Sequence, residues 1–178
     1  MNFNEIIINL PLTDINILTK LKSGDKVLIN GIMYIARDSA HKKIIEMINK
    51  NEELPFEIRN AFIYYAGPTP GKNKLIGSCG PTTSYRMDKF TPTLLKKGLK
   101  GMIGKGKRSN TVRKSIKDNK AIYFSTFGGA GALLGNTIIS AKVIAFEDLG
   151  PEALFEIKVK NFPVIVEIDT MGNNIFLK

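Results

Sequence analysis

Three short stretches place cations and hydroxyls where a small anion could be held. GPTTSYRMD, residues 80–88, follows a rigid Gly-Pro with two adjacent hydroxyls and sets Arg86 four residues after Thr82. If a helix begins near Thr82, the two side chains share one face. The unpaired amides and partial positive charge of a helix start then favour a carboxylate or phosphate, and Arg86 adds a planar, two-pronged donor. An N-cap threonine beside a surface arginine explains the same letters. ARDSAHKK, residues 36–43, ends an apolar run on Arg37 just before a helical pattern. That is the sheet edge where α/β folds bind ligands; the plain alternative is an Arg-Asp pair at a helix start. GMIGKGKRS, residues 101–109, brackets Lys105 with glycines, which let backbone and amine approach an anion closely. It is not a P-loop, because the spacer and the hydroxyl after the lysine are missing.

Other candidates are weaker. STFGGAGALLG, residues 125–135, departs from G-x-G-x-x-G and reads as a tight turn packing a short helix against the sheet. His41, the one histidine, falls in a first helical turn where the dipole disfavours its charged form, so a structural role is expected. One cysteine, Cys79, makes no internal disulfide and holds no metal alone. There is no Cys/His cluster, no evident Ser-His-Asp set, and few carboxylates lie near these loops. Cations and alcohols without a strong acid, base or metal make half an active site.

The elements that must position these residues alternate. Apolar runs predict strands at 5–11, 26–30, 32–35, 61–65, 101–103, 121–124, 137–146, 153–159, 164–168 and 175–178, with Gly31 as a bend between the second and third. Helices are predicted at 14–21, from the cap-type residues Asp38 and Ser39 to about 50, near Thr82, from Thr91 with Pro92 in the first turn, and from a Ser109 cap to Asn119. Strand–helix alternation through the middle implies a mostly parallel sheet covered by helices. Strands without helices at both ends imply a second, antiparallel layer.

The 178 residues suit a single domain over 1–178, long enough to bury a core unaided. An apolar fraction of 43% and a charged fraction of 24% belong to a globular chain. No run approaches a membrane span and no basic leader precedes the first strand, so a soluble, cytoplasmic chain is expected. The net charge of +10 points to an anionic small ligand, an acidic partner or nucleic acid. The basic residues read as spread along the chain, with no aromatic-interleaved stripe.

GPTTSYRMDKFTPTLLKKGLKGMIGKGKRS is similar to the central signature of the C-terminal domain of class I fumarases, a domain that in two-chain relatives is the β subunit of fumarase or L-tartrate dehydratase. The likeness extends in the same order to RDSAHKK, GGAGALL and EDLGPEALFEIKVKNFPVIVEID, and so covers nearly the whole chain. The resemblance implies an α/β swivelling β/β/α three-layer domain. It implies an iron–sulfur hydro-lyase whose [4Fe-4S] cluster is bound by the partner α subunit, in a hetero-oligomer such as α2β2, with the open iron acting as a Lewis acid on the substrate hydroxyl. Thr82 matches the residue proposed to take the C3 proton. Arg37, Arg86 and Lys105 match ligands of substrate carboxylates. Cys79 lies outside the cluster triad, and Tyr85 replaces a glycine common in other members. The implied reaction is reversible hydration of fumarate to L-malate. L-Tartrate dehydration is the first alternative, and a basic anion- or nucleic-acid-binding module without catalysis is the second.

Overall fold

The computed structural model describes residues 6–72 and 76–177. Seven strands are joined by hydrogen bonds in the order β1 (Ile6–Leu10), β2 (Lys26–Ile35), β3 (Phe62–Tyr64), β4 (Gly101–Gly104), β5 (Ile122–Ser125), β7 (Leu154–Ile168), β6 (Ile138–Ala145). The first five pair parallel, and β7 runs antiparallel to β2, β5 and β6. Because β7 pairs with both β2 and β5, the strands β2–β3–β4–β5–β7 close a circuit that covers the edge β5 would otherwise present, and β1 and β6 remain the outer strands.

The parallel part matches the sequence-based expectation. The antiparallel part differs: β6 and β7 are continuous with the parallel strands in one sheet of seven, since a 15-residue strand is long enough to pair with three neighbours. Two pairs of predicted strands also merge. Residues 26–30 and 32–35 form the single strand β2 with a register shift between Ile29 and Gly31, and 153–159 and 164–168 form β7. Asn161, with φ of 53°, supplies the irregularity in β7, and its amide donates to the Asn30 side chain at 2.7 Å. The predicted strand at 175–178 is replaced by isolated bridges from Asn174 to Ile168 and Leu177, and Lys178 lies outside the described residues, as does Glu5 of the first predicted strand.

Side-chain alternation along the short parallel strands builds two cores. Phe62, Tyr64, Ile103 and Phe124 pack with β6, β7, Leu18 of α1 (Asn16–Lys20) and Leu134 of α5 (Gly131–Asn136). Ile63, Met102 and Tyr123 face the other way, toward α2 (Asp38–Asn49), α3 (Thr91–Lys96) and α4 (Asn110–Asp118). Ser109 caps α4 as predicted, accepting from the Val112 amide at 3.3 Å. The cap of α2 is different. Neither Asp38 nor Ser39 serves; Arg37 occupies the N-cap without a side-chain bond, and the Ser39 amide donates to Glu152 Oε2 at 3.1 Å from the far side of the chain. No helix among the described residues is long and apolar enough to cross a membrane.

Candidate functional site

Parallel strands end on one rim, and the loops leaving them meet there. Arg37 follows β2 directly, Tyr65 to Gly67 follow β3, Lys105 follows β4, and Gly128 lies just beyond β5. The signature segment is laid across these ends as a short extra strand. Pro81 bridges Ala66, and Thr83 bridges Lys105 in parallel. The Thr82 amide donates to the Tyr65 carbonyl at 2.7 Å, and its hydroxyl donates to the same oxygen at 3.1 Å. The Lys105 amide donates to the Thr82 carbonyl at 3.3 Å, and the Ser84 amide donates to the Lys105 carbonyl at 2.9 Å. Thr82 and Lys105 are therefore direct neighbours along the backbone. Gly128 lies against the Lys105 side chain.

This arrangement corrects the helical reading of GPTTSYRMD. Thr82 precedes a four-residue 3-10 turn, Ser84–Met87, and its amide is already paired, so no open helix start awaits an anion and Thr82 and Arg86 do not share a helical face. Arg86 instead turns toward α2. Its Nε donates to Asp38 Oδ1 at 2.9 Å and its Nη2 to Oδ2 at 2.6 Å. Arg37 lies 3.9 Å from the same Asp38 carboxylate and 3.3 Å from Glu152. The chain passes the Arg37 guanidinium at Gly67, where any Cβ would press on Arg37 Nη1. The four predicted residues thus lie on one rim as two linked pairs, Thr82 with Lys105 and Arg86 with Arg37 through Asp38, with the 65–67 loop joining them.

Two carboxylates control the arginines: Asp38, weighed from the sequence as a partner of Arg37 alone, and Glu152, which the sequence did not single out. Glu152 is held below the usual carboxylate range by its bonds to Ser39 and by Arg37, against the opposing effect of partial burial. Asp38 was visible inside RDSAHKK, but Glu152 gave no local signal, because its partners lie more than a hundred residues away.

Beneath the rim sits a buried polar network. Arg108, with no exposed side-chain surface, donates from Nε to Asp88 Oδ1 at 2.6 Å and from Nη2 to Thr91 Oγ1 at 2.7 Å. Its guanidinium stacks over Tyr65 and Tyr123 at 5.4 and 4.8 Å from the ring centres. The second Asp88 oxygen accepts from the Ser109 amide at 2.6 Å. Asp88 and Arg108 tie the two halves of the signature together from below, which explains why an acid follows GPTTSYRM and an arginine follows GKGK.

His41 is fully buried between Tyr65 and Phe90, and Nδ1 lies 2.8 Å from the Arg37 carbonyl, to which it donates. Burial lowers its pKa to about 4 and keeps the ring neutral, so burial rather than the helix dipole is the cause. Cys79 is a free thiol in a loop, and it is buried; burial pushes it up to about 12. Among the described residues no group of three or more His, Cys, Asp or Glu is placed to hold a metal ion. The charge is also less evenly spread than it first reads. Residues 86–120 hold 12 Lys and Arg against 2 Asp, so this stretch alone accounts for the net +10 and carries Arg86 and Lys105 with it.

Comparison with known proteins places the chain in a family. The sequence model of the family described as "Fumarase C-terminus" matches residues 2–178. A chain of Methanocaldococcus jannaschii provisionally named L(+)-tartrate dehydratase subunit beta is 42% identical over 164 residues, spanning 88% of this chain and 84% of that one. Fumarate hydratase 2 of Leishmania major is 37% identical over 165 residues, 90% of this chain but 29% of its own length. The aerobic class I fumarate hydratase of Escherichia coli K12 is 36% identical over 163 residues, with shares of 89% and 30%. The chain therefore spans most of the archaeal subunit and about a third of these fumarate hydratases.

Proposed function

This chain belongs to the fumarase C-terminal family, and on that premise we propose that it is the β subunit of a hydro-lyase that hydrates fumarate reversibly to L-malate. The observation that carries the reading is the gathering of Arg37, Thr82, Arg86 and Lys105, from three separate loops, on one rim. Three cations suit a substrate with two carboxylates, and their separate anchoring holds a flexible dianion in one pose. As a proton leaves C3, charge grows toward the adjacent carboxylate, where arginine and lysine stabilise it. Thr82 receives that proton at Oγ1. An alcohol is a weak base: Oγ1 accepts that proton only after giving up the one it now donates to the Tyr65 carbonyl, and cations on the same rim favour the ionised form.

The residues present do not fit a [4Fe-4S] cluster. The one cysteine is buried, and among the described residues no group of three or more His, Cys, Asp or Glu is placed to hold a metal ion. In this reading the cluster belongs to a partner α subunit, and this chain supplies cations and a proton acceptor. Exposed Tyr85, Phe127 and Leu133, on the loops and short helix around Thr82 and Lys105, give that partner an apolar surface to seat against. A heteromer such as α2β2, a single swivelling β/β/α domain over 1–178 and a cytoplasmic location complete the proposal. The two cores on opposite faces of the parallel strands are what a three-layer arrangement requires.

The test uses the chain assembled with its iron–sulfur α subunit. Thr82→Ala abolishes turnover and leaves assembly intact, and this chain alone is inactive. Near-normal turnover in that variant removes Thr82 from the reaction. L-Tartrate is the second substrate reading, favoured by the likeness to the archaeal subunit. Steady-state kinetics on fumarate, L-malate and L-tartrate separates the two, since a pocket built to bond one extra hydroxyl rejects the analogue lacking it.

A further inference from the structure

Lys105 is exposed on a turn between two glycines, the least constrained kind of backbone, yet its proposed role requires a fixed amine. Besides the Thr126 amide, which donates to the Gly104 carbonyl at 3.0 Å where β4 ends, three bonds restrain that turn. Two are the ladder contacts to Thr82 and Ser84. The third comes from β5. Tyr123 Oη lies 2.9 Å from the Gly106 carbonyl and 2.9 Å from Ser84 Oγ. A carbonyl only accepts, so the phenol donates to Gly106 and the Ser84 hydroxyl donates to the phenol. The result is a one-way chain, Ser84 to Tyr123 to Gly106, that clasps both strands of the extra ladder on either side of Lys105. Ser84 and Tyr123 are fully buried, and Arg108 over the ring fixes the tyrosine in turn. Gly104 completes the fit, because a Cβ there would overlap Ser84 Oγ.

We propose that Tyr123 is a positioning residue for Lys105: its hydroxyl sets the path of the 104–106 turn and so the place where the lysine amine meets a substrate carboxylate. The inference rests on the reading of Lys105 as a substrate ligand, but its structural half can be tested apart from it. Removing the hydroxyl leaves the Gly106 carbonyl without its partner and releases the Ser84 hydroxyl, while the ring and its contact with Arg108 remain.

The experiment compares Tyr123→Phe, Lys105→Ala and the double variant in the assembled enzyme, with Ser84→Ala as a second route to the same loosening should Tyr123→Phe fold poorly. Hydrogen exchange is measured at the Ser84 and Lys105 amides, with the amides of β4 as the internal control. Exchange at Ser84 and Lys105 is expected to rise about tenfold in Tyr123→Phe with β4 unchanged. KM for the dicarboxylate is expected to rise about tenfold and kcat to fall as well, because a mobile lysine both loosens the bound carboxylate and stabilises less of the charge that grows on it. In the double variant KM equals that of Lys105→Ala, since a tyrosine acting only through the lysine adds nothing once the lysine is gone. Unchanged exchange at both amides overturns the positioning role, as do KM effects that multiply in the double variant. Faster exchange with an unaltered KM in Lys105→Ala leaves the clasp in place and overturns the reading of Lys105 itself.

Discussion

Asp38 grips Arg86 by both edges of its guanidinium, Nε to Oδ1 at 2.9 Å and Nη2 to Oδ2 at 2.6 Å. The same carboxylate stands 3.9 Å from Arg37 Nε, so one acid sets the spacing of two cations that leave different elements. Two donor groups of Arg86 are thereby committed within the protein, and only the rest of the guanidinium can meet a substrate. Stability is not the main yield. Arg86 is about half exposed (48%), and exposed pairs of this kind are worth roughly 0–1 kcal/mol. The pair matters for orientation.

Asp38→Asn therefore lowers kcat/KM for the dicarboxylate by about tenfold while changing the melting temperature by no more than a few degrees. An amide offers Arg86 one acceptor instead of two and turns a donor toward it. Kinetics and a thermal melt on the same preparation check both halves.

Arg108 and Asp88 behave differently, because both are buried. Arg108→Met leaves Asp88 charged and missing its strongest partner, which costs about 3–5 kcal/mol. Arg108→Met combined with Asp88→Leu recovers a large part of that loss, as replacement of a whole buried pair by apolar groups commonly does. Denaturant unfolding of the three variants measures it.

His41 makes the fold acid-sensitive. Its pKa is lowered from 6.5 to about 4, chiefly by burial, so the unfolded chain takes up the proton first. Stability is complete above pH 6.5, falls as the pH drops toward 4, and loses up to about 3 kcal/mol over that window. His41→Gln lacks this step, and unfolding free energies at pH 7, 5.5 and 4.5 reveal the difference.

Glu167 sets the opposite limit. Burial raises its carboxyl to about 7 against the opposing influence of the Ser125 hydroxyl and of Arg108. A raised carboxyl pKa adds stability at low pH that fades as the pH climbs from 4.5 to about 7. Glu167→Gln is accordingly more stable than the parent by roughly 1–2 kcal/mol at pH 8 and near parity at pH 4.5. Melting curves at the two pH values decide it.

Much of the local architecture was legible beforehand. The Ser109 cap follows from capping chemistry, and the helix from 38 to about 50 and the strand at 121–124 follow from apolar spacing, both of which act within a few residues. The failures have tertiary causes. A helix start at Thr82 is a fair local reading, but the Tyr65 carbonyl takes the Thr82 amide and draws the segment into an extended ladder instead. The break between the two halves of β7 looked like a loop because a bulge at Asn161 interrupts the apolar pattern, and only pairing with β2 shows that the strand continues.

The sequence alone determined the inventory and its local order: which hydroxyls and cations exist, that they sit at the ends of strands, and that cysteines and histidines for a metal are missing. Those are properties of residue type and short-range backbone preference. Tertiary structure decided which charges meet. Asp38 finds Arg86 across 48 positions, Ser39 finds Glu152 across 113, and Tyr123 reaches back 17 to Gly106 and 39 to Ser84. No local preference selects such partners; strand order does, by bringing separate loops to one rim where a buried donor must find an acceptor.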